Sequence, residues 1–237
     1  LRAFSYFNLV KFFGGVPLRK EPVKDVAPEV LNIERATREK TYDFILEDLD
    51  KAEEFFSETK TASGVADFYT VKALKARIKL YQEQWTEAYI NARDVINSGN
   101  YSLVSSAEYS TLFAEVENSE VIFQIDFSAS DDVNAIADWT QESGRFEVAA
   151  WNSNDQENTI ADVYQSNDVR KDVTVAQGLN HYYCNKYSDT ENSSDNIIHF
   201  PLAEIYLICA EAINETRYVT DGPAFDYLNA VHTRAGL

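Results

Sequence analysis

The sequence predicts a mainly α fold in which antiparallel helix pairs are interrupted by a long irregular insertion containing short β-strands. Three observations carry this. Apolar residues recur at helical spacing over paired stretches toward each end of the chain. The 237 residues include only 8 Gly and 5 Pro, too few for a many-turned β-sandwich. Between about 100 and 200 the chain is rich in Asn, Asp, Ser and Thr and shows no helical stripe.

The first stretch is apolar at Leu1, Ala3, Phe4, Phe7, Val10 and Phe13. A pattern hydrophobic nearly all round predicts a buried helix over 1–13, stopped by Gly14 and Gly15. Thr37 is placed as an N-cap, with Glu39 in the first turn, for a helix to about residue 57 whose stripe is Tyr42, Ile45, Leu46, Leu49 and Phe56. Two stripes mark a sandwiched helix over 65–82: Tyr69, Ala73, Ala76 and Leu80 on one face, Val71, Leu74, Ile78 and Tyr81 on another. After Glu83-Gln84, the pattern Trp85, Ala88, Tyr89, Ala92, Val95, Ile96 predicts a helix over 85–98 with Gly99 just past its end.

Small alanines at facing positions and a bulky aromatic opening the second helix follow the packing logic of TPR-like antiparallel helix pairs, centred on Ala76, Leu80, Tyr81 and Trp85. The glycine usual in such a turn is absent. A second pair is expected over 202–216, with Leu202, Ile205, Tyr206, Cys209 and Ile213, and over 223–234, from Pro223 at the first helical position to Gly236 after the last. In the insertion, residues 120–127 read as a strand with Val121, Phe123, Ile125 and Phe127 on one face.

Acidic residues outnumber basic ones 39 to 21, and the formal charge of −18 excludes a nucleic-acid partner unless a basic stripe overrides the field. Lys72, Lys75, Arg77 and Lys79 read instead as a solvated helix face. No run of about 20 apolar residues is present to span a bilayer as a helix. Leu1 already stands inside a helical pattern, so the sequence reads as an internal piece of a longer protein. Cys184 and Cys209 have no metal spacing and read as packing thiols.

Catalytic signatures are scarce. His181, His199 and His232 are scattered, and neither H-E-x-x-H nor G-x-S-x-G occurs. Two convergent carboxylates would suffice for a glycoside hydrolase, and linear spacing leaves that reading open. Asp131-Asp132 and the run Asp189 to Asp195 could hold Ca²⁺, although they lack alternating D-x-D-x-D-G order and read as solvated loops. No other cofactor is indicated.

The remaining chemistry is aromatic. Trp139, Trp151, Tyr164, Tyr182 and Tyr183 are interleaved with amides and carboxylates, including Gln141, Glu142, Asn152, Asn154 and Asp155. A sugar ring offers an apolar C–H face and a rim of hydroxyls, which a flat aromatic with planar polar neighbours complements. Trp139, Trp151, Tyr182, Tyr183 and Asn152 are therefore the candidate ligand residues, with no catalytic or metal-binding residue among them. The same aromatics could instead be core beneath a long loop.

Several segments resemble the SusD/RagB family of surface glycan-binding lipoproteins. They are Leu1-Arg2-Ala3-Phe4 with Phe13-Gly14-Gly15-Val16-Pro17-Leu18, Arg35-Ala36-Thr37-Arg38, the alanine-rich helix pair with Ser98-Gly99-Asn100-Tyr101-Ser102-Leu103, and Glu120-Val121-Ile122-Phe123. Tyr164, Asp168, Arg170 and Asp172 follow, with Lys186-Tyr187, Ala203-Glu204-Ile205-Tyr206, and Arg234-Ala235-Gly236-Leu237. Pro201 and His232 depart from residues common there. The resemblance implies one helical domain over 1–237, incomplete at both ends, with the ligand surface in 100–200. It further implies a non-enzymatic protein held at the outer membrane, facing outward, by a lipid anchor on a segment outside this chain. The implied partners are a glycan and a TonB-dependent SusC-like transporter. A TPR-type protein adaptor remains a third reading.

Overall fold

The computed structural model describes residues 1–24, 27, 32–113, 117–128, 136–141, 149–150, 160–178, 181–192 and 194–237. The helical scaffold consists of α1 (Arg2–Phe13), α2 (Arg38–Phe55), α3 (Phe68–Tyr81) and α4 (Trp85–Asn97). The insertion follows, with a 3₁₀ segment (Ser106–Phe113), β1 (Val121–Ile125), α5 (Ile136–Thr140), β2 (Ala149–Ala150), α6 (Ile160–Val163), α7 (Arg170–Thr174), β3 (Val175–Gln177), β4 (His181–Cys184) and β5 (Ile197–Pro201). Helices α8 (Leu202–Thr216) and α9 (Pro223–Arg234) complete the described chain.

Each helix packs on the next, α1 on α2, α2 on α3, α3 on α4 and α8 on α9, while α8 also lies directly against α4. The second pair thus stacks on the first although about a hundred residues separate them. Close approach is possible because the facing positions are small: Ala73, Ala76, Ala88, Ala92 and Ala212 are completely buried, with Ile78, Val95, Ile205 and Cys209 filling between them. Burial pushes the Cys209 thiol up to about 12, as suits an inert packing group, and both cysteines are free. The mainly α, TPR-like reading of the sequence holds.

Local chemistry sets the ends. Thr37 caps α2 by accepting from the Lys40 N–H at 3.2 Å. The third helix starts at Phe68, three residues later than its apolar pattern predicts. Asp67 and Thr70 close a reciprocal capping box there, with Asp67 accepting from the Thr70 N–H at 2.8 Å and Thr70 accepting from the Asp67 N–H at 3.2 Å. Between α3 and α4 the Glu83 N–H donates to the Leu80 carbonyl and the Gln84 N–H to the Lys79 carbonyl, a Schellman turn. Its left-handed position is held by Glu83 at φ 59°, where glycine would be relaxed.

Four expectations are corrected by packing. The first helix buries only Ala3, Phe7 and Val10, while Phe12 and Phe13 stand exposed, because α1 meets its neighbours along one stripe. Tyr81 is half exposed and Phe56 lies at the rim, so the pair is centred on the alanines. The basic stripe on α3 is not solvated. Lys72 and Lys75 reach Glu53 of α2, Lys72 also reaches Asp94 of α4, and Arg77 forks onto Glu204 of α8. Finally, β1 buries Val121, Ile122 and Gln124 and exposes Ile125. It pairs antiparallel with β5 through register shifts on both sides of Phe123, which rotate side chains out of simple alternation.

Candidate functional site

The insertion is fastened to the scaffold by one buried ion pair. Glu120, immediately before β1, and Arg234, at the end of α9, meet at 2.5 Å with essentially no exposure. The same carboxylate oxygen accepts the Val104 N–H at 3.0 Å, and the Glu120 carbonyl accepts the Leu202 N–H at 2.7 Å. Burial pushes the Glu120 carboxyl above the ordinary carboxylate range despite the pull of Arg234. The guanidinium also covers the Tyr109 ring at 4.7 Å. Around them Val104, Tyr109, Leu112 and Val121 form a second, smaller core.

A second fastening uses backbone. The Val169 N–H donates to the Ala235 carbonyl at 3.0 Å, and the Asn167 amide to the Gly236 carbonyl. Gly236 sits at φ 87°, and a Cβ there would lie 2.6 Å from the Asn167 carbonyl oxygen, so both conformation and clearance require glycine. Beside this contact, Asp168 accepts from Arg170 Nε at 2.9 Å and Nη2 at 2.7 Å. That pair locks its own loop, and the scaffold contact is made by the neighbouring backbone.

On this base, β4 is the middle strand of a three-stranded antiparallel sheet in the order β2-β4-β3. Tyr182 pairs with Ala149 and Gln177, and Tyr183 with Ala176. Adjacent strand residues point to opposite faces, so the two half-buried tyrosines serve opposite sides of the sheet. Tyr164 is tied to α7, its hydroxyl accepting from the Thr174 hydroxyl at 2.9 Å. Trp139 lies on α5 and is 47% exposed. Two residues on, the Gln141 side chain donates to the Tyr187 carbonyl, joining the end of α5 to the chain just beyond β4. This junction was not legible in the sequence, since an amide-to-backbone bond across 46 residues leaves no pattern. Trp151, Asn152, Asn154, Asp155 and Glu142 lie outside the described residues.

The arrangement supplies little acid–base chemistry. Among the described residues, burial raises the carboxyls of Glu120 and Asp195. The first is enclosed with Arg234, and the second accepts the Asp189 N–H at 2.8 Å. Asp189 accepts in turn from the Asn192 and Ser194 N–H groups and the Ser194 hydroxyl, so this acidic run closes its own turn. No His, Cys, Asp and Glu grouping fit to hold a metal occurs among the described residues, and Asp131-Asp132 lie outside them.

A family model described as "Starch-binding associating with outer membrane" matches residues 1–81, and one described as "SusD family" matches residues 177–237. SusD-like protein P2 of Formosa agariphila is 26% identical over 279 aligned residues that take in 100% of this chain and 54% of the relative. SusD-like protein P25 of the same organism is 24% identical, over 99% of this chain and 54% of its own. The chain spans about half the length of the curated relatives it matches.

Among solved structures, a SusD superfamily protein from Bacteroides thetaiotaomicron superposes with a TM-score of 0.80 at 23% identity, covering 99% of this chain and 57% of that one. A laminarin binding SusD-like protein gives 0.79 at 21% identity, covering 100% and 62%. At these identities the superpositions establish the fold. Matches at both ends of the chain and relatives aligned along its whole length place this protein in the SusD/RagB family.

Proposed function

We propose that this chain is part of a cell-surface protein that captures oligo- or polysaccharide without cleaving it and passes it to a TonB-dependent, SusC-like outer-membrane transporter. The ligand surface is assigned to the insertion, 100–200, within one helical domain. The observation that carries the reading is the half-exposed indole of Trp139 on α5, whose neighbouring Gln141 ties that helix to the chain just beyond the tyrosine-bearing strand β4, on a SusD-type scaffold. An indole face accepts the C–H surface of a pyranose, while amides donate and accept, and carboxylates accept, around its rim. Trp151, Asn152 and either Tyr182 or Tyr183, which face opposite sides of the sheet, complete the proposed set.

The supporting comparisons are family-level. One matching model is described as starch-binding and associated with the outer membrane, and one superposable protein is described as laminarin binding. Attachment is proposed to be outward-facing, through a lipid anchor outside this chain. No helix of the described residues is long and apolar enough to cross a membrane. No bound metal is invoked.

The test uses the full-length protein on a glycan panel, read twice, once for bound ligand and once for new reducing ends. Binding without release of reducing ends is expected. Release would make the protein a glycoside hydrolase, and binding of peptides in place of every glycan would make it a helix-pair adaptor.

A further inference from the structure

Charge is unevenly divided along the chain. Residues 101–200 contain 18 acidic and 4 basic side chains, whereas the rest of the molecule contains 21 acidic and 17 basic. Nearly all of the excess negative charge therefore sits on the insertion. The scaffold is closer to balanced, and several of its cations are engaged: Lys72, Lys75 and Arg77 hold neighbouring helices, and Arg2 forks onto Asp48.

Two of the four cations of the insertion are engaged as well. Arg170 is bidentate on Asp168, and the Lys186 ammonium lies over the Phe113 ring at 5.3 Å. Lys171 is half-buried on α7, followed in sequence by the exposed Asp172, and Arg145 lies outside the described residues. Among the described residues of the insertion, the charged side chains that stand fully exposed are carboxylates. Asp138 adjoins Trp139 and is exposed, as are Asp162, Asp172 and Glu191. Recognition of a sulfate or uronate requires guanidinium or ammonium donors to replace its hydration. A surface of one negative sign instead repels such a chain over a Debye length, about 8 Å at physiological ionic strength.

We infer that the glycan taken by this surface is uncharged: the 18-to-4 acidic excess of the insertion, with Arg170 and Lys186 already engaged, selects neutral polysaccharide and rejects sulfated and uronic-acid polymers. This rests on the glycan-binding reading above.

The experiment compares full-length protein binding to neutral polymers (laminarin, amylose, galactomannan) and to anionic ones (alginate, polygalacturonate, carrageenan), at about 50 and about 500 mM NaCl, with and without calcium. A neutral polymer should bind with an affinity that changes less than about twofold between the two salts, because no ion pairs are exchanged on binding. Anionic polymers should bind at least about tenfold more weakly at the lower salt, where repulsion is strongest. In a triple variant, Asp138→Lys, Asp172→Lys and Glu191→Lys, neutral binding should persist while salt-sensitive binding of an anionic polymer rises. Capture of an anionic polymer by the unmodified protein as tightly as a neutral one, with or without calcium, would overturn the inference and leave glycan binding intact. Absence of binding to every polymer would instead defeat the glycan-binding reading, and this inference with it.

Discussion

Arg234 and Glu120 stand 114 residues apart in sequence and meet at 2.5 Å in a pocket that excludes water from both. The pair joins the last described helix to the first strand of the insertion, so one contact fixes where the insertion leaves the scaffold. Removing one partner leaves an uncompensated buried charge, which costs about 3–5 kcal/mol, whereas replacing both with apolar residues costs far less. Arg234→Ala should therefore be strongly destabilised in urea unfolding, and the double variant Arg234→Met/Glu120→Leu should recover much of the loss. A double variant no more stable than Arg234→Ala would show that the pair does more than satisfy itself.

Ala76 is completely buried where α3 meets its neighbours. A larger side chain there must push the helices apart, and Ala76→Leu should cost about 1–3 kcal/mol. Equal unfolding midpoints for this variant and the parent protein would mean that the helices can separate without loss.

Glu83 occupies a left-handed turn position that L-residues other than Asn and Gly adopt at a cost of about 1–2 kcal/mol. Glycine relieves that strain but adds unfolded-state entropy, so Glu83→Gly should stabilise the protein by up to about 1 kcal/mol. Thermal unfolding decides the sign, and a lowered midpoint would imply that the Glu83 side chain makes a compensating contact.

The Arg170 guanidinium holds the Asp168 carboxyl below the ordinary carboxylate range, with its neighbouring N–H also donating to the carboxylate. A carboxyl depressed on folding contributes stability that is present above its unfolded pKa, about 3.9, and lost as pH falls through the lower folded value. Stability measured from about pH 5 downward should therefore fall less steeply in Asp168→Asn than in the parent protein. Identical slopes would dissociate the pair from folding.

Trp139→Ala should weaken binding of a cognate oligosaccharide by about 1–2 kcal/mol, roughly tenfold, with unchanged circular dichroism. Trp151→Ala is the companion measurement. Full affinity in both would place these indoles outside the ligand surface and shift attention to Tyr182 and Tyr183, whose opposite faces make their single variants separable.

The sequence by itself determined the helix pairs and most of their ends, because helical spacing, a capping Thr37 and terminal glycines at 99 and 236 act within a few residues of one another. It also carried the family resemblance and the charge asymmetry, which are properties of order and composition. What only the tertiary structure decided involves partners far apart in the chain. Lys72, Lys75 and Arg77 look like a solvated face until α2 and α8 supply carboxylates against them. The alternation of β1 looks regular until β5 shifts its register at Phe123. Glu120 and Arg234 each belong to a short motif, but neither motif specifies that they meet. The aromatic candidates divide in the same way: residue chemistry nominated them, and the strand geometry of β4 then set Tyr182 and Tyr183 on opposite faces, since side-chain direction follows from backbone pairing across the sheet.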